Sequence, residues 1–351
     1  MTVRDLRYAN TTPSLTSERW AVSLRGVLAL YALVPLGLLL QYYDLVFCGE
    51  ALKNWLPANP TQFLLFQLLF GTPHILASTL ILTTHRDYWR HYRPKIFTMT
   101  TLLAVGFALG SLWLEYRTLY IFVAAWTVYH VLKQQYGIAR SVCQLPEWAF
   151  QLLLWLSVTT GLIIYLGVFL KNSLLPTQME WIRETAAVLT ASLIGAAFVC
   201  RHLLRTGIGL WFYWANIGLV VGSFSFFWLH YDFLALVVPR LIHDLSAYYF
   251  YVTHDYNRHA ARPDNALYRM ARRLHLPVYV VLPLLSIGLT VLLQQYGDAW
   301  VNGVIQLFWE SEPRRLVTVG LLGYLALLHY YLEGLTWQKH SPYRRYLALK
   351  T

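Results

Sequence analysis

Four of the twelve histidines in this chain, His74, His130, His243 and His329, fall inside long apolar stretches, each in a different one. An imidazole in hydrocarbon is costly, so four of them in separate apolar segments read as a built site. The most specific local pattern is His329-Tyr-Tyr-Leu-Glu333. Its i, i+4 spacing sets an imidazole and a carboxylate on one helical face, where they can grip one metal ion or bond each other. Gln134 follows His130 at the same spacing and is placed to hold that ring's tautomer. The stretch beginning at Arg240 carries His243, Asp244, His254 and Asp255, a density of ionisable groups that no lipid-facing helix tolerates. Asp244 can pair with Arg240, and His254 lies roughly three turns beyond His243 on the same face. The expected metal ligands are therefore His74, His130, His243, His329, Glu333 and His254, with Glu333, Asp244 and Gln134 as the groups closest to the chemistry. Several imidazoles with one carboxylate suit iron first, then zinc or copper. Two opposed imidazoles at equal depth would also serve haem as axial ligands.

These side chains need rigid elements at one depth, and the composition supplies them. The chain has 351 residues, 57% of them hydrophobic and 13% charged. That composition, with its long apolar runs, predicts an all-α, polytopic transmembrane bundle. About ten spans are expected, near residues 26–44, 61–84, 96–115, 118–138, 147–169, 183–200, 208–229, 232–255, 277–296 and 316–338. Basic residues gather at the N-terminal arm (Arg4, Arg7, Arg19, Arg25) and after every even-numbered span, as in Arg86, Arg90, Arg93 and Lys95. The same holds for Lys133 and Arg140, for Arg201 and Arg205, for the run from Arg258 to Arg273, and for Lys339 to Lys350. The loops on the other side are mixed or acidic, as in Glu310, Glu312, Arg314 and Arg315. By the positive-inside rule both termini face the cytoplasm, with a bacterial inner membrane as the expected location. On this register the four histidines all sit roughly 12 to 18 Å from the inner ends of their spans.

The remaining sequence features narrow the class. The longest stretches without a span, near 256–276 and 297–315, are each only about 20 residues long, too short for a soluble domain, so a single integral membrane domain over 1–351 is expected. The net charge of +11 lies at the edges of one face. It is accounted for by topology and anionic headgroups, which makes membrane lipid the expected partner and nucleic acid an unexpected one. Cys48 falls on the outer side and Cys143 and Cys200 near the inner side, so no disulfide framework is expected. The polar N-terminus to Trp20 lacks the apolar core of a signal peptide. Tyr248, Tyr249, Tyr251, Tyr330 and Tyr331 fall inside spans and could line a cavity for an extended apolar molecule, while many other aromatics suit interfacial belts. His85 and His91 sit among Arg86, Arg90 and Arg93 and read as part of a solvated basic loop. His202, His230, His259, His275 and His340 lie at the rims and are excluded from the site.

The stretch Gly71-Thr72-Pro73-His74, with His130 before Gly137, resembles the Brp/Blh family of membrane carotenoid-cleaving dioxygenases, and more broadly the histidine-rich polytopic membrane metal oxygenases. The resemblance implies an iron protein with His74 and His130 as ligands. It departs at Ile75 and Ser78, where the family carries Gly and Asp. The repeated histidine boxes of membrane desaturases are absent. The expected function is a metal-dependent membrane oxygenase acting on a lipophilic small molecule such as a lipid, fatty acyl chain or isoprenoid, with an electron-donor protein as an open partner. The competing expectations are a proton- or ion-coupled transporter using the same polar groups, a haem-binding membrane protein and a structural assembly factor.

Overall fold

Apolar residues on every face of long segments leave helices as the only structures that satisfy their own backbone in lipid, and helices account for nearly all of this chain. The computed structural model describes residues 19–57, 71–204, 207–309, 314–338 and 340–351, with Tyr116 and Arg117 by backbone alone. Arg4, Arg7, Arg205, Lys339, Glu310, Glu312 and the first half of the second expected span lie outside the described residues.

A two-residue strand β1 (Val22–Ser23) leads into α1 (Leu24–Leu30), α2 (Leu33–Phe47) and the short α3 (Ala51–Trp55). Then come α4 (Thr72–Thr84), α5 (Arg86–Trp113), α6 (Tyr116–Cys143), α7 (Glu147–Leu170), α8 (Pro176–Cys200), α9 (Gly207–Trp228) and α10 (Asp232–His259). The chain closes with α11 (Ala266–Arg273), α12 (Val278–Leu292), α13 (Asp298–Gln306), α14 (Leu322–Thr336) and the strand β2 (Leu349–Lys350). Seven segments among the described residues are long and apolar enough to cross a bilayer: α1 with α2, α5, α7, α8, α9, α12 with α13, and the segment ending in α14. This is a multi-pass membrane protein. The expected spans at 61–84, 118–138 and 232–255 are not among the seven. The last two lie within the 28-residue helices α6 and α10, and the first ends in α4. The first is described only from residue 71 onward, which leaves α4 at 13 residues, while α6 and α10 carry charged groups inside their spans, such as Lys133, Arg240 and Asp244, that lower the apolarity marking a lipid-facing helix.

The helix bundle has two distinguishable rims. At one, Val22 pairs in parallel with Leu349 and Ser23 with Lys350. There Asn257 near the end of α10 accepts from Trp20 N at 2.7 Å and donates to the carbonyls of Trp20 and Tyr346. The two ends of the described chain thus meet at one end of α10. About 37 Å away along that helix, Asp232 takes Lys171 at 2.7 Å, and Tyr231 donates to Asp44 at 2.7 Å. Exposed tryptophans mark both levels: Trp20, Trp89, Trp148 and Trp211 near the first rim, Trp113, Trp181, Trp228 and Trp300 near the second. Between them the outward side chains are large and apolar, Leu36, Leu39, Phe97, Leu102 and Val188 among them, as lipid contact requires.

α10 is the central element, packed against α2, α4, α6, α9 and α12. One apolar core lies among α1, α2 and α6 to α10, and a second among α4, α5, α10 and α14. Helix ends are closed by specific devices. His230, in the left-handed region at φ 66°, ends α9 while the amide of Tyr231 bonds back to Phe226 O at 2.8 Å. His275 does the same after α11 at φ 57°, so two of the histidines excluded from the site shape the backbone. Before α14, a wide turn at Leu316–Leu321 packs on another at Leu293–Gly297, and Asp298 caps it by accepting from Val317 N at 2.7 Å. Close packing elsewhere depends on glycine. A methyl group added at Gly167 of α7 would lie 2.6 Å from the Phe227 ring and 2.9 Å from Ile182. Gly167→Ala is expected to lower stability by about 1–3 kcal/mol through overpacking, outweighing a helix-propensity gain of up to about 1 kcal/mol. Thermal unfolding in detergent would read this as a lower midpoint, whereas Gly195→Ala, inside α8 with nothing within 4 Å, should keep the propensity gain and hold the midpoint or raise it.

Candidate metal centre

Four helices deliver the four histidines to one place. His74 comes from the first turn of α4, His130 from the middle of α6, His243 from α10 and His329 from α14. The rings form a closed quadrilateral. Centroids are 5.2 Å apart for His74 and His243, 5.0 Å for His243 and His130, 5.0 Å for His130 and His329, and 4.8 Å for His329 and His74. Every pair is turned edge to face, and all four rings are buried, none more than 7% exposed. The four histidines that residue counting places at one level lie together.

Two carboxylates complete the cluster. Glu333, buried one turn beyond His329, points Oε2 at His130 Nε2 (3.1 Å) and His329 Nε2 (3.6 Å). Its other oxygen accepts from the hydroxyl of Tyr251 at 2.9 Å and from the amide of Gln134 at 3.4 Å. Glu333 is thus held by one oxygen while the other faces the imidazoles. Asp244, fully buried, takes His74 Nδ1 at 2.9 Å and lies 3.7 Å from the Arg240 guanidinium. The contact is one of charge and proximity, since neither oxygen of Asp244 has a hydrogen-bond partner among the described residues. Tyr330 stacks on His130 at 4.4 Å and restricts its ring.

The donor set fits a transition-metal ion. Around one ion with bonds of about 2.0–2.1 Å, neighbouring donor atoms stand roughly 2.9 to 3.4 Å apart; the 3.1 Å contact of Glu333 Oε2 with His130 falls in that range and the 3.6 Å contact with His329 lies just above it. Ligand atoms of His74, His130 and His329 lie within 4.8 Å of one another, as do those of His74, His243 and Asp244. Both ring nitrogens of His243 and of His329 lack a hydrogen-bond partner among the described residues, and so does Glu333 Oε2. Buried polar atoms without partners are rare in folded proteins. A cation at the centre of the quadrilateral would take one nitrogen of each of these rings together with Glu333 Oε2 and offset the buried charge of Glu333.

An apolar cavity of about 370 Å³ is lined by chain neighbours of the cluster, though by none of its histidines or carboxylates. Its wall includes Thr72, two residues before His74, Thr127 and Val131 beside His130 on α6, and Pro239 and Arg240 before His243. Leu236, Ile164, Tyr165 and Phe169 supply much of the remaining surface. Gly71 leaves room for Arg240, whose guanidinium would stand 3.3 Å from an added methyl group. The aromatic residues expected to line such a cavity do other work. Tyr251 holds Glu333, Tyr248 bonds Ser286 at 2.8 Å, and Tyr249 accepts from Ser23 N at 3.0 Å.

Three expectations need correction. Gln134 does not hold the tautomer of His130; its amide reaches Glu333, because the i, i+4 carboxylate from α14 enters the space between them. His254 does not join the cluster. Its Nε2 bonds the Tyr88 hydroxyl at 2.7 Å, its Nδ1 lies 3.0 Å from Asp255, and its ring stacks on Tyr343. His85 and His259 are not solvated rim groups: both are buried, with their Nε2 atoms 2.9 Å apart. Sequence reading missed Tyr251 as the anchor of Glu333, although its place two turns beyond Asp244 on α10 is a usable signal. Compared with family models, curated proteins and solved structures, the chain matches none of them.

Proposed function

We propose that this protein is a metal-dependent membrane oxygenase acting on a lipophilic substrate, with iron held by His74, His130, His243, His329 and Glu333. The observation that carries the reading is the closed ring of four buried imidazoles with an inward, donor-free carboxylate oxygen. Iron bound there supplies the activation of dioxygen towards an apolar molecule. The protein's own residues do the rest. Glu333 is aimed by Tyr251 and Gln134, and Asp244 sets a carboxylate oxygen 2.9 Å from His74 Nδ1. The neighbouring cavity, with its apolar wall and a single guanidinium, receives a chain entering from lipid and keeps bulk water from the reacting groups. The resemblance of Gly71-Thr72-Pro73-His74 to the Brp/Blh stretch supports a long unsaturated hydrocarbon as the substrate class. Ten spans with both termini in the cytoplasm complete the proposal, supported by the meeting of both chain ends at the Arg-rich rim.

Elemental analysis and an absorption spectrum of detergent-purified protein test this. The expected result is about one iron per chain without a Soret band, since four rings closing on one another leave no slot for a porphyrin plane. Protein that takes up no transition metal, even when offered Fe²⁺ anaerobically, would overturn the reading.

A further inference from the structure

A second cluster of ligating groups lies at the basic rim, where the loop after α10 folds back over the start of α5. His85 joins α4 to α5, His259 ends α10, and Asp264 lies in the loop before α11. Donor atoms of the three lie within 4.8 Å of one another. The two histidines are buried, and the Asp264 side chain is 40% exposed.

The lone pairs of these groups conflict unless something positive sits among them. His85 Nδ1 lies 2.6 Å from the Ile81 carbonyl and must carry the proton, which leaves His85 Nε2 as a bare acceptor. That acceptor faces His259 Nε2 at 2.9 Å and Asp264 Oδ1 at 3.7 Å. A neutral His259 has one protonated nitrogen. With the proton on Nδ1, two bare nitrogens meet at 2.9 Å; with it on Nε2, a bare Nδ1 meets the Asp264 oxygen at 3.3 Å. The Asn265 amide, 3.3 Å from His85 Nε2, relieves only the first conflict. The surroundings hold the groups in place. Tyr268 stacks on His259 at 3.7 Å, and Arg258 takes the second oxygen of Asp264 while also binding Asp87.

We infer that His85, His259 and Asp264 form a second divalent-metal site, distinct from the four-histidine centre and independent of the proposed oxygenase activity. Two imidazoles and a carboxylate suit Zn²⁺ or Fe²⁺, with the remaining positions open to water on the exposed side of Asp264. The His85–Ile81 bond is the backing usual behind a ligating histidine. An ion here ties the α4–α5 junction, the end of α10 and the following loop into one unit.

The test uses full-length His329→Ala protein in detergent, stripped by chelator, then titrated with Zn²⁺ and, anaerobically, with Fe²⁺. One equivalent of zinc or iron should bind, and Co²⁺ in its place should give ligand-field absorption of a nitrogen-bound ion. Adding Asp264→Ala or His259→Ala should weaken binding at least tenfold. Asp264 is partly exposed and Arg258 keeps Asp87, so the first of these variants should retain the fold. Absence of any bound ion in the His329→Ala protein, or unchanged affinity on adding Asp264→Ala, would overturn the inference and leave a protonated His259 bridging His85 and Asp264. A wild type lacking iron at the core but binding zinc through Asp264 would sink the oxygenase reading and keep this one.

Discussion

Protein carrying His329→Ala is expected to retain less than about one tenth of the wild-type core metal and to lose turnover to the same extent. Changes merely behind a ligand cost about 10- to 100-fold in metal affinity, and removing a ligand costs at least that. His329 has a double role, because it is itself a donor and its Nε2 lies 3.6 Å from the free oxygen of Glu333. Its loss opens one side of the quadrilateral and leaves Glu333 facing only His130 on that side. The fold should survive, since the α14 backbone and the neighbouring Leu327, Leu328 and Leu332 remain buried in the same core. Elemental analysis beside a thermal unfolding curve separates the two effects. Retention of full metal content in both His329→Ala and His130→Ala would show that the four rings do not share an ion.

The second large effect is expected at Asp244, where alanine should be worse for the fold than at any other member of the cluster. Asp244 is completely buried between His74 Nδ1 and the Arg240 guanidinium. Breaking a buried pair from one side leaves an uncompensated charge and costs about 3–5 kcal/mol. Arg240 is partly open to the apolar cavity, which lowers the cost towards the lower end of that range. Asp244→Ala should therefore express poorly or unfold early. The double variant Arg240→Met/Asp244→Ala should recover much of the stability but not the metal, because the carboxylate grouped with the donor atoms of His74 and His243 is gone. Thermal midpoint and metal content measured on both proteins give the answer. Equal stability of the single and double variants would show that the Arg240–Asp244 contact carries no weight.

The four histidines were legible in the sequence because apolar surroundings make any polar group conspicuous. Glu333 was legible because helical spacing alone places it beside His329. The spacing argument failed at Gln134, where a carboxylate from another helix arrives first, and at His254, whose ring is claimed by Tyr88, Asp255 and Tyr343 from other parts of the chain. His85 and His259 were hidden by their arginine neighbours: a basic stretch reads as solvated until the fold shows that Asp87 and Asp264 neutralise Arg258 and that the loop covers both rings. The expected spans at α6 and α10 fell short of apolar criteria for the reason that made them interesting, since interior helices trade apolarity for the groups of the site.

The parallel pairing of Val22 and Ser23 with Leu349 and Lys350 has a bearing on biogenesis. Among the described residues β1 precedes every helix and β2 follows all of them, so this pairing forms only after α14 has been synthesised. Until then Trp20 and Asn257 lack the Tyr346 carbonyl that completes their network, and Tyr343 is not yet stacked on His254. The order of synthesis thus makes this rim the last part of the described bundle to close, and a chain ending before α14 is expected to leave Asn257 without the Tyr346 carbonyl.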